Sequence, residues 1–218
     1  MRKIIIFGIG SLAQICCYHL SKRNPGIVAG FVVDSKYFSS DNLMGLPVTT
    51  TEKMLDIFSP ESFELLVAIG YSNMRNRLTT IEHLSTKNYN FTNLIPEDGC
   101  DGTINGVNNI IMPGSIIEPF TNIGSHNIIW SGAHICHNVT ISNNNFFAAG
   151  SILGGYTNVS DGNFFGFGAI IKENINILPE TLIAAGAVII KDTEACSTYM
   201  GVPGKKTNDL SSTGVIIA

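Results

Sequence analysis

The run Ile110-Ile111-Met112-Pro113-Gly114-Ser115-Ile116-Ile117-Glu118-Pro119-Phe120-Thr121-Asn122-Ile123 opens a pattern that holds as far as Ile189. Every sixth residue from Ile111 is large and apolar: Ile111, Ile117, Ile123, Ile129, Ile135, Ile141, Phe147, Leu153, Val159, Phe165, Ile171, Ile177, Ile183 and Ile189. The phase never slips. With 44% hydrophobic residues in the chain, chance gives fourteen such hits about once in 10⁵ trials. A period of six fits neither an amphipathic helix nor a plain strand. It fits a hexapeptide-repeat β-helix, in which each repeat is a short strand plus a corner.

Two further columns agree. Four residues after each anchor the side chain is mostly small or polar, as at Ser115, Thr121, Ala133, Ser151, Thr157, Ala169 and Ala187. Three residues after the anchor stand Gly114, Gly132, Asn138, Asn144, Gly150, Gly162, Gly168, Asn174, Gly186 and Asp192. Those residue types tolerate left-handed backbone, so this column reads as corners. The expected body is a narrow prism with an aliphatic core, running from about Thr103 to Lys191.

Composition narrows the function classes. The 218 residues allow one large or two modest domains. A net charge of −4 with no basic run makes nucleic acid an unsuited partner. No apolar run is long enough to span a membrane. The opening Met1-Arg2-Lys3 and the isoleucines after it look superficially like a signal peptide. Gly8 and Gly10 break that apolar run, so a β-strand is the better reading. The five cysteines, Cys16, Cys17, Cys100, Cys136 and Cys196, form no CxxC pair or metal-ligand spacing. Free thiols in a reducing cytoplasm are expected.

Residues before about 100 have a different texture. Lys3 to Gly8 reads as a buried strand and Leu12 to Lys22 as a helix. Ile27 to Asp34 reads as a second strand. Thr50 to Phe58 reads as helical, with Thr49, Thr50 or Thr51 as N-cap. Phe63 to Gly70 is a strand, Met74 to Thr86 a helix and Tyr89 to Ile95 a last strand. Alternating strands and helices imply a parallel sheet, hence a small Rossmann-like α/β domain. The tail after Thr193 holds Gly201-Val202-Pro203-Gly204-Lys205, and its apolar end Val215-Ile216-Ile217 is either a docked strand or unstructured.

Chemistry concentrates in two places. Gly8-x-Gly10-x-x-Ala13 follows a strand and opens a helix, where glycines and helix amides admit a phosphate. Asp34 ends the next strand, where an acid can bond a ribose or a base edge. The same glycine turn also serves strand–helix packing alone. In the repeat, three hexapeptides make one coil, so residues eighteen apart stack at about the strand spacing of 4.8 Å. Gly155 then lies one coil beyond His137, with Gly154 and Gly166 just after anchors, giving a bare wall for a long thin ligand. His126 and His134 read as solvent-exposed corner histidines.

With these residues in view, the chain resembles the sugar-modifying acyltransferases of the left-handed β-helix superfamily. It is most similar to the nucleotide-linked amino-sugar N-acetyltransferases and the sialic acid O-acetyltransferase-like proteins. The motifs are Ile5-Ile6-Phe7-Gly8-Ile9-Gly10, Asp34, Ala68-Ile69-Gly70-Tyr71-Ser72-Asn73-Met74-Arg75, the hexapeptide run and Gly201-Val202-Pro203-Gly204-Lys205. The resemblance implies residues 1–100 as a nucleotide-sugar-binding domain and 101–195 as a left-handed parallel β-helix. It implies 196–218 as a segment on the cofactor side. It further implies a cytoplasmic homotrimer that uses acetyl-CoA and no metal, with a nucleotide-linked amino sugar as acceptor. Gly155, Gly166, Ala185, Gly186, Gly201, Pro203 and Lys205 would line the CoA site. Gly8, Gly10, Ser11, Asp34, Gly70 and Tyr71 would hold the nucleotide sugar. The family's histidine general base falls on His137. Many relatives follow it with a glutamate; here Asn138 stands there, in the corner column. Phe146 stands where some relatives have a histidine. Cys136 suits a structural role better than a nucleophile's. A sugar O-acetyltransferase and a non-catalytic trimeric scaffold are the alternatives.

Overall fold

A computed structural model describes residues 2–217; Met1 and Ala218 lie outside the described residues. The chain divides into two compact units, residues 1–70 with 77–94, and residues 71–76 with 95–218. The boundary therefore falls between Leu94 and Ile95 rather than near residue 100. The expected separate segment 196–218 is part of the second unit, because strand Ser197–Met200 pairs with Leu182 and Ile183 of the solenoid.

The first unit is built on one sheet. Its elements are β1 (Lys3–Phe7), α1 (Ser11–Arg23), β2 (Val28–Val33), β3 (Asn42–Leu43), β4 (Leu46–Thr50), α2 (Met54–Ile57) and β5 (Phe63–Val67). Most of α3 (Met74–Ser85) and all of β6 (Asn90–Phe91) complete it. The order is β3-β4-β2-β1-β5-β6, parallel throughout except the β3–β4 hairpin. β1 lies at the centre, and its Ile4, Ile5, Ile6 and Phe7 are all buried, as expected of a strand covered on both faces. Strand order reverses between β1 and β5, the point at which doubly wound sheets open a ligand crevice.

Two expectations need correction, and one hairpin was not anticipated. The helix over Thr50 to Phe58 shrinks to Met54–Ile57, with Lys53 at its N-cap and no side-chain cap. Thr49 and Thr50 are instead strand residues opposite Val32 and Val33, where β-branched side chains fit. Residues 42–50 form a hairpin through Met44 and Gly45, at φ 55° and 79°. The signal was hidden because methionine rarely takes that conformation. The last strand is only Asn90–Phe91. Among the described residues no helix is long and apolar enough to cross a membrane.

In the second unit, fifteen two-residue strands from Thr103–Ile104 to Val188–Ile189 stack into three parallel sheets. Partners lie eighteen residues apart, as in Asn122↔Thr140 and His134↔Ile152. Only the first coil, Asn122↔Thr103, is one residue longer. All fourteen anchors are buried in one core. Positive φ occurs at every corner from Gly114 to Gly186, including the non-glycine corners Phe120, His126, Asn138, Asn144, Tyr156, Asn174 and Glu180. Asp192 departs from the column: the coil ends there, and its carboxylate instead accepts the backbone and side-chain N–H groups of Asn176. One sheet presents Thr140, Asn158 and Asn176 outward; the next presents Ile116, His134, Ile152, Ile170 and Val188. The C-terminal end docks: Val215 is fully buried, Met74 N–H donates to its carbonyl at 3.1 Å, and Ile217 N–H to Ser72 O at 2.8 Å.

Candidate active site

His137 follows anchor Ile135, at the edge where the strand turns into a left-handed corner at Asn138, φ 59°. The ring is exposed. Its Nδ1 lies 3.0 Å from Asn138 Oδ1. An amide oxygen only accepts, so Nδ1 carries the proton and Nε2 of the neutral ring is the basic nitrogen. Asn138 thus fills two positions at once, the corner and the group that fixes the tautomer.

The floor of this corner is Gly155. A Cβ built there would sit 2.9 Å from His137 Cε1 and 3.1 Å from Nε2, so only glycine lets the imidazole lie against that coil. Tyr156 follows, its ring edge-on to the imidazole with centroids 5.3 Å apart. Below the histidine, Glu118 bridges two groups. Its Oε2 accepts the His137 backbone N–H at 2.8 Å, and Oε1 meets His134 Nε2 at 2.7 Å. The His134 bond, and then the His137 backbone bond, hold the Glu118 carboxyl below the usual carboxylate range. His134 is therefore a strand residue with a partner, not a corner histidine; His126 does occupy a corner, at φ 65°.

Glu118, His134 and Cys136 bring one donor atom each to within 4.8 Å of one another. Both Glu118 oxygens are engaged as described. Burial, and then the Glu118 charge, push the Cys136 thiol up, which keeps it protonated and suits packing rather than attack. All five cysteines are free thiols.

A second set of small residues lies apart from the His137–Gly155 corner. Gly166 is bare because a Cβ would come to 2.5 Å from Ala185 N. Ala185 and Gly186 are exposed beside it, on a corner column made entirely of glycine: Gly114, Gly132, Gly150, Gly168 and Gly186. These residues precede the strands of the sheet that ends at His137 and Gly155. Within one chain this set and the His137–Gly155 corner therefore flank opposite edges of that sheet. Gly201 and Gly204 clamp Val188, through Val188 N–H to Gly201 O at 3.0 Å and Gly204 N–H to Val188 O at 2.7 Å. Pro203 and Lys205 are exposed on that loop.

In the first unit, Gly8, Gly10, Ser11, Asp34 and Gly70 gather at the carboxyl ends of β1, β2 and β5. Gly8 has φ 119°, and a Cβ there would meet Ala68 O at 2.7 Å. Gly10 precedes α1, and Ser11 is its first residue. Asp34 Oδ1 accepts Thr51 Oγ1 at 2.8 Å. Tyr71 belongs to the second unit, where its ring lies on Phe146 at 3.9 Å between centroids and near Phe164 at 5.7 Å. Glu118, Phe120 and Tyr156 were not expected at the site. Counting eighteen back from Cys136, and eighteen either way from Asn138, reaches all three.

No family model and no curated protein sequence matches the chain. Solved structures do. The acetyltransferase domain of PglB from Neisseria gonorrhoeae, in complex with acetyl coenzyme A, superposes with a TM-score of 0.83 at 22% identity, covering 94% of this chain and 99% of that one. A variant of GDP-perosamine N-acetyltransferase from Caulobacter crescentus, in complex with CoA and GDP-perosamine, gives 0.84 at 24% identity, covering 95% and 97%. WeeI from Acinetobacter baumannii gives 0.59 at 18% identity, covering 95% and 100%. Over nearly its whole length the chain thus shares the fold of these solved structures, two of which are named as acetyltransferases.

Proposed function

We propose that the protein is an acetyl-CoA-dependent N-acetyltransferase for the amino group of a nucleotide-linked amino sugar, working as a trimer of left-handed β-helices. The observation that carries this reading is His137, with Nδ1 held by Asn138 and its ring laid on the bare Gly155. Nε2 takes a proton from the amine as nitrogen attacks the thioester carbonyl. An N–C bond forms and the carbonyl oxygen becomes an oxyanion, steadied by the Gly155 backbone N–H, since Gly154 N–H already donates to Ile171 O. The C–S bond then breaks, and the thiolate leaves as CoA, taking the proton from the imidazolium.

Three facts support the ligands and the assembly. The Caulobacter neighbour holds CoA and GDP-perosamine on the same fold. The glycines at the β1/β5 reversal suit a nucleotide diphosphate, with Asp34 placed for its ribose or base. Ile116, Ile152 and Ile170 expose 48%, 39% and 40% of their surface on one sheet, an apolar stripe that a second copy would cover. Packing prisms on that face would bring the His137 edge of one chain to the Gly166–Ala185–Gly186 edge of another. Acetyl-CoA would then lie in the cleft, with its nucleotide end near Gly201, Pro203 and Lys205.

Thiol release from acetyl-CoA, measured with UDP-, GDP- and dTDP-linked 4-amino sugars, tests the reading. At least one sugar is expected to turn over, and His137→Ala is expected to lose about a hundredfold or more in kcat. Full activity of that variant would remove the histidine from the mechanism.

A further inference from the structure

We propose that Phe120 and Tyr156 form an aromatic cradle that receives the amino sugar by its C–H face and by its ammonium group, on either side of the His137 corner. This rests on the amino-sugar acetyltransferase reading and gives it a basis for choosing an amine over a hydroxyl.

The two aromatics belong to one column. Phe120, Asn138, Tyr156 and Asn174 are successive corners, each eighteen residues on, with φ of 66°, 59°, 61° and 60°. Left-handed backbone suits the two asparagines and disfavours phenylalanine and tyrosine. Neither aromatic contributes to the core in return: Phe120 is 74% exposed and Tyr156 54%. Glu180, another bulky residue on a left-handed corner, does have structural work, since its carboxylate holds Arg75 through two bonds of 2.6 Å. Strain kept without packing benefit points to a ligand. The placement says which one. The rings lie one coil before and one coil after Asn138, and Tyr156 touches the imidazole edge-on. An aromatic face stacks on apolar C–H groups and attracts a cation within about 6 Å. An amino sugar offers both while it arrives as the ammonium ion, which gives its extra proton to solvent before the neutral amine attacks and His137 takes the second proton; a sugar hydroxyl offers only the first.

The test uses the full chain with Phe120→Gly, Tyr156→Gly and Phe120→Tyr, in the thiol-release assay with the same 4-amino sugar panel. Each glycine variant is expected to raise the amino-sugar KM about tenfold and leave the acetyl-CoA KM unchanged. Their Tm should hold or rise, because glycine relieves the left-handed backbone, and Phe120→Tyr should restore the KM. An unchanged amino-sugar KM overturns the cradle. So does a fall in Tm of several degrees, which would make the rings structural, or dissociation in sedimentation, which would make them interface residues. No turnover by the wild type with any panel member overturns the acetyltransferase reading itself, and the cradle with it.

Discussion

His137 depends on neighbours chosen for shape as much as for chemistry. Asn138 serves corner and tautomer together, and substitution separates the two roles. Asn138→Gly keeps the φ of 59° but removes the Nδ1 partner, so kcat should fall about tenfold or more with little change in Tm. Asn138→Ala loses the same partner and adds roughly 1 kcal/mol of left-handed strain, so its Tm should fall as well. Gly155→Ala places a methyl 2.9 Å from Cε1; acetyl transfer should drop sharply while the circular dichroism spectrum is unchanged. Spacing by eighteen set His137 beside Gly155, and the resemblance singled it out among His126, His134 and His137. Glu118 lies one coil away by the same count, but its bonds to the His137 N–H and the His134 ring are not encoded in any column of side chains.

Within the solenoid, a buried asparagine ladder does what hydrophobic anchors cannot. Asn109, Asn127, Asn145 and Asn163 stack inside one corner, and each Oδ1 accepts the backbone N–H of the next residue in the series, at 2.9, 2.9, 2.8 and finally 2.7 Å to Thr181. Asn145→Ala strips the acceptor from the buried Asn163 N–H and should cost about 2 kcal/mol, read in a denaturant melt. Asn158→Ala, on the exposed polar face, should stay within about 0.5 kcal/mol. The sequence columns marked these positions only as small or polar. Which of them would ladder depended on the stacking of successive coils. Propensity failed for the opposite reason in the first unit: Thr49, Thr50 and Thr51 suit a helix cap locally, yet two of them pair with β2, and Thr51 instead bonds Asp34.

Long-range latches and association belong to the whole molecule. Arg75 clips residues 71–76 to the solenoid through Glu180, and its guanidinium also donates to Ser211 O and Ser212 O of the tail. The Arg75 bonds to Glu180 hold its carboxyl below its usual 4.5, against the opposing effect of burial and with help from the Cys196 thiol. A depressed carboxyl pKa contributes stability above the unfolded value, and that stability is lost as pH falls through the folded value. The Tm gap between wild type and Glu180→Gln should therefore be open at neutral pH and close below about pH 4. Ile152→Lys, on the exposed isoleucine stripe, should reduce the sedimenting species to a monomer if that face joins copies. By itself the sequence determined the coil, the core and the position of His137, because a period of six and a stack of eighteen follow from local backbone geometry repeated without a break. Only the tertiary structure decided that residues 71–76 and the C-terminal strand belong to the solenoid unit, that Glu118 bonds both the His137 N–H and the His134 ring, and that the Tyr156 ring meets the imidazole edge-on. Those arrangements rest on contacts between residues distant in sequence, whose energies no local period records.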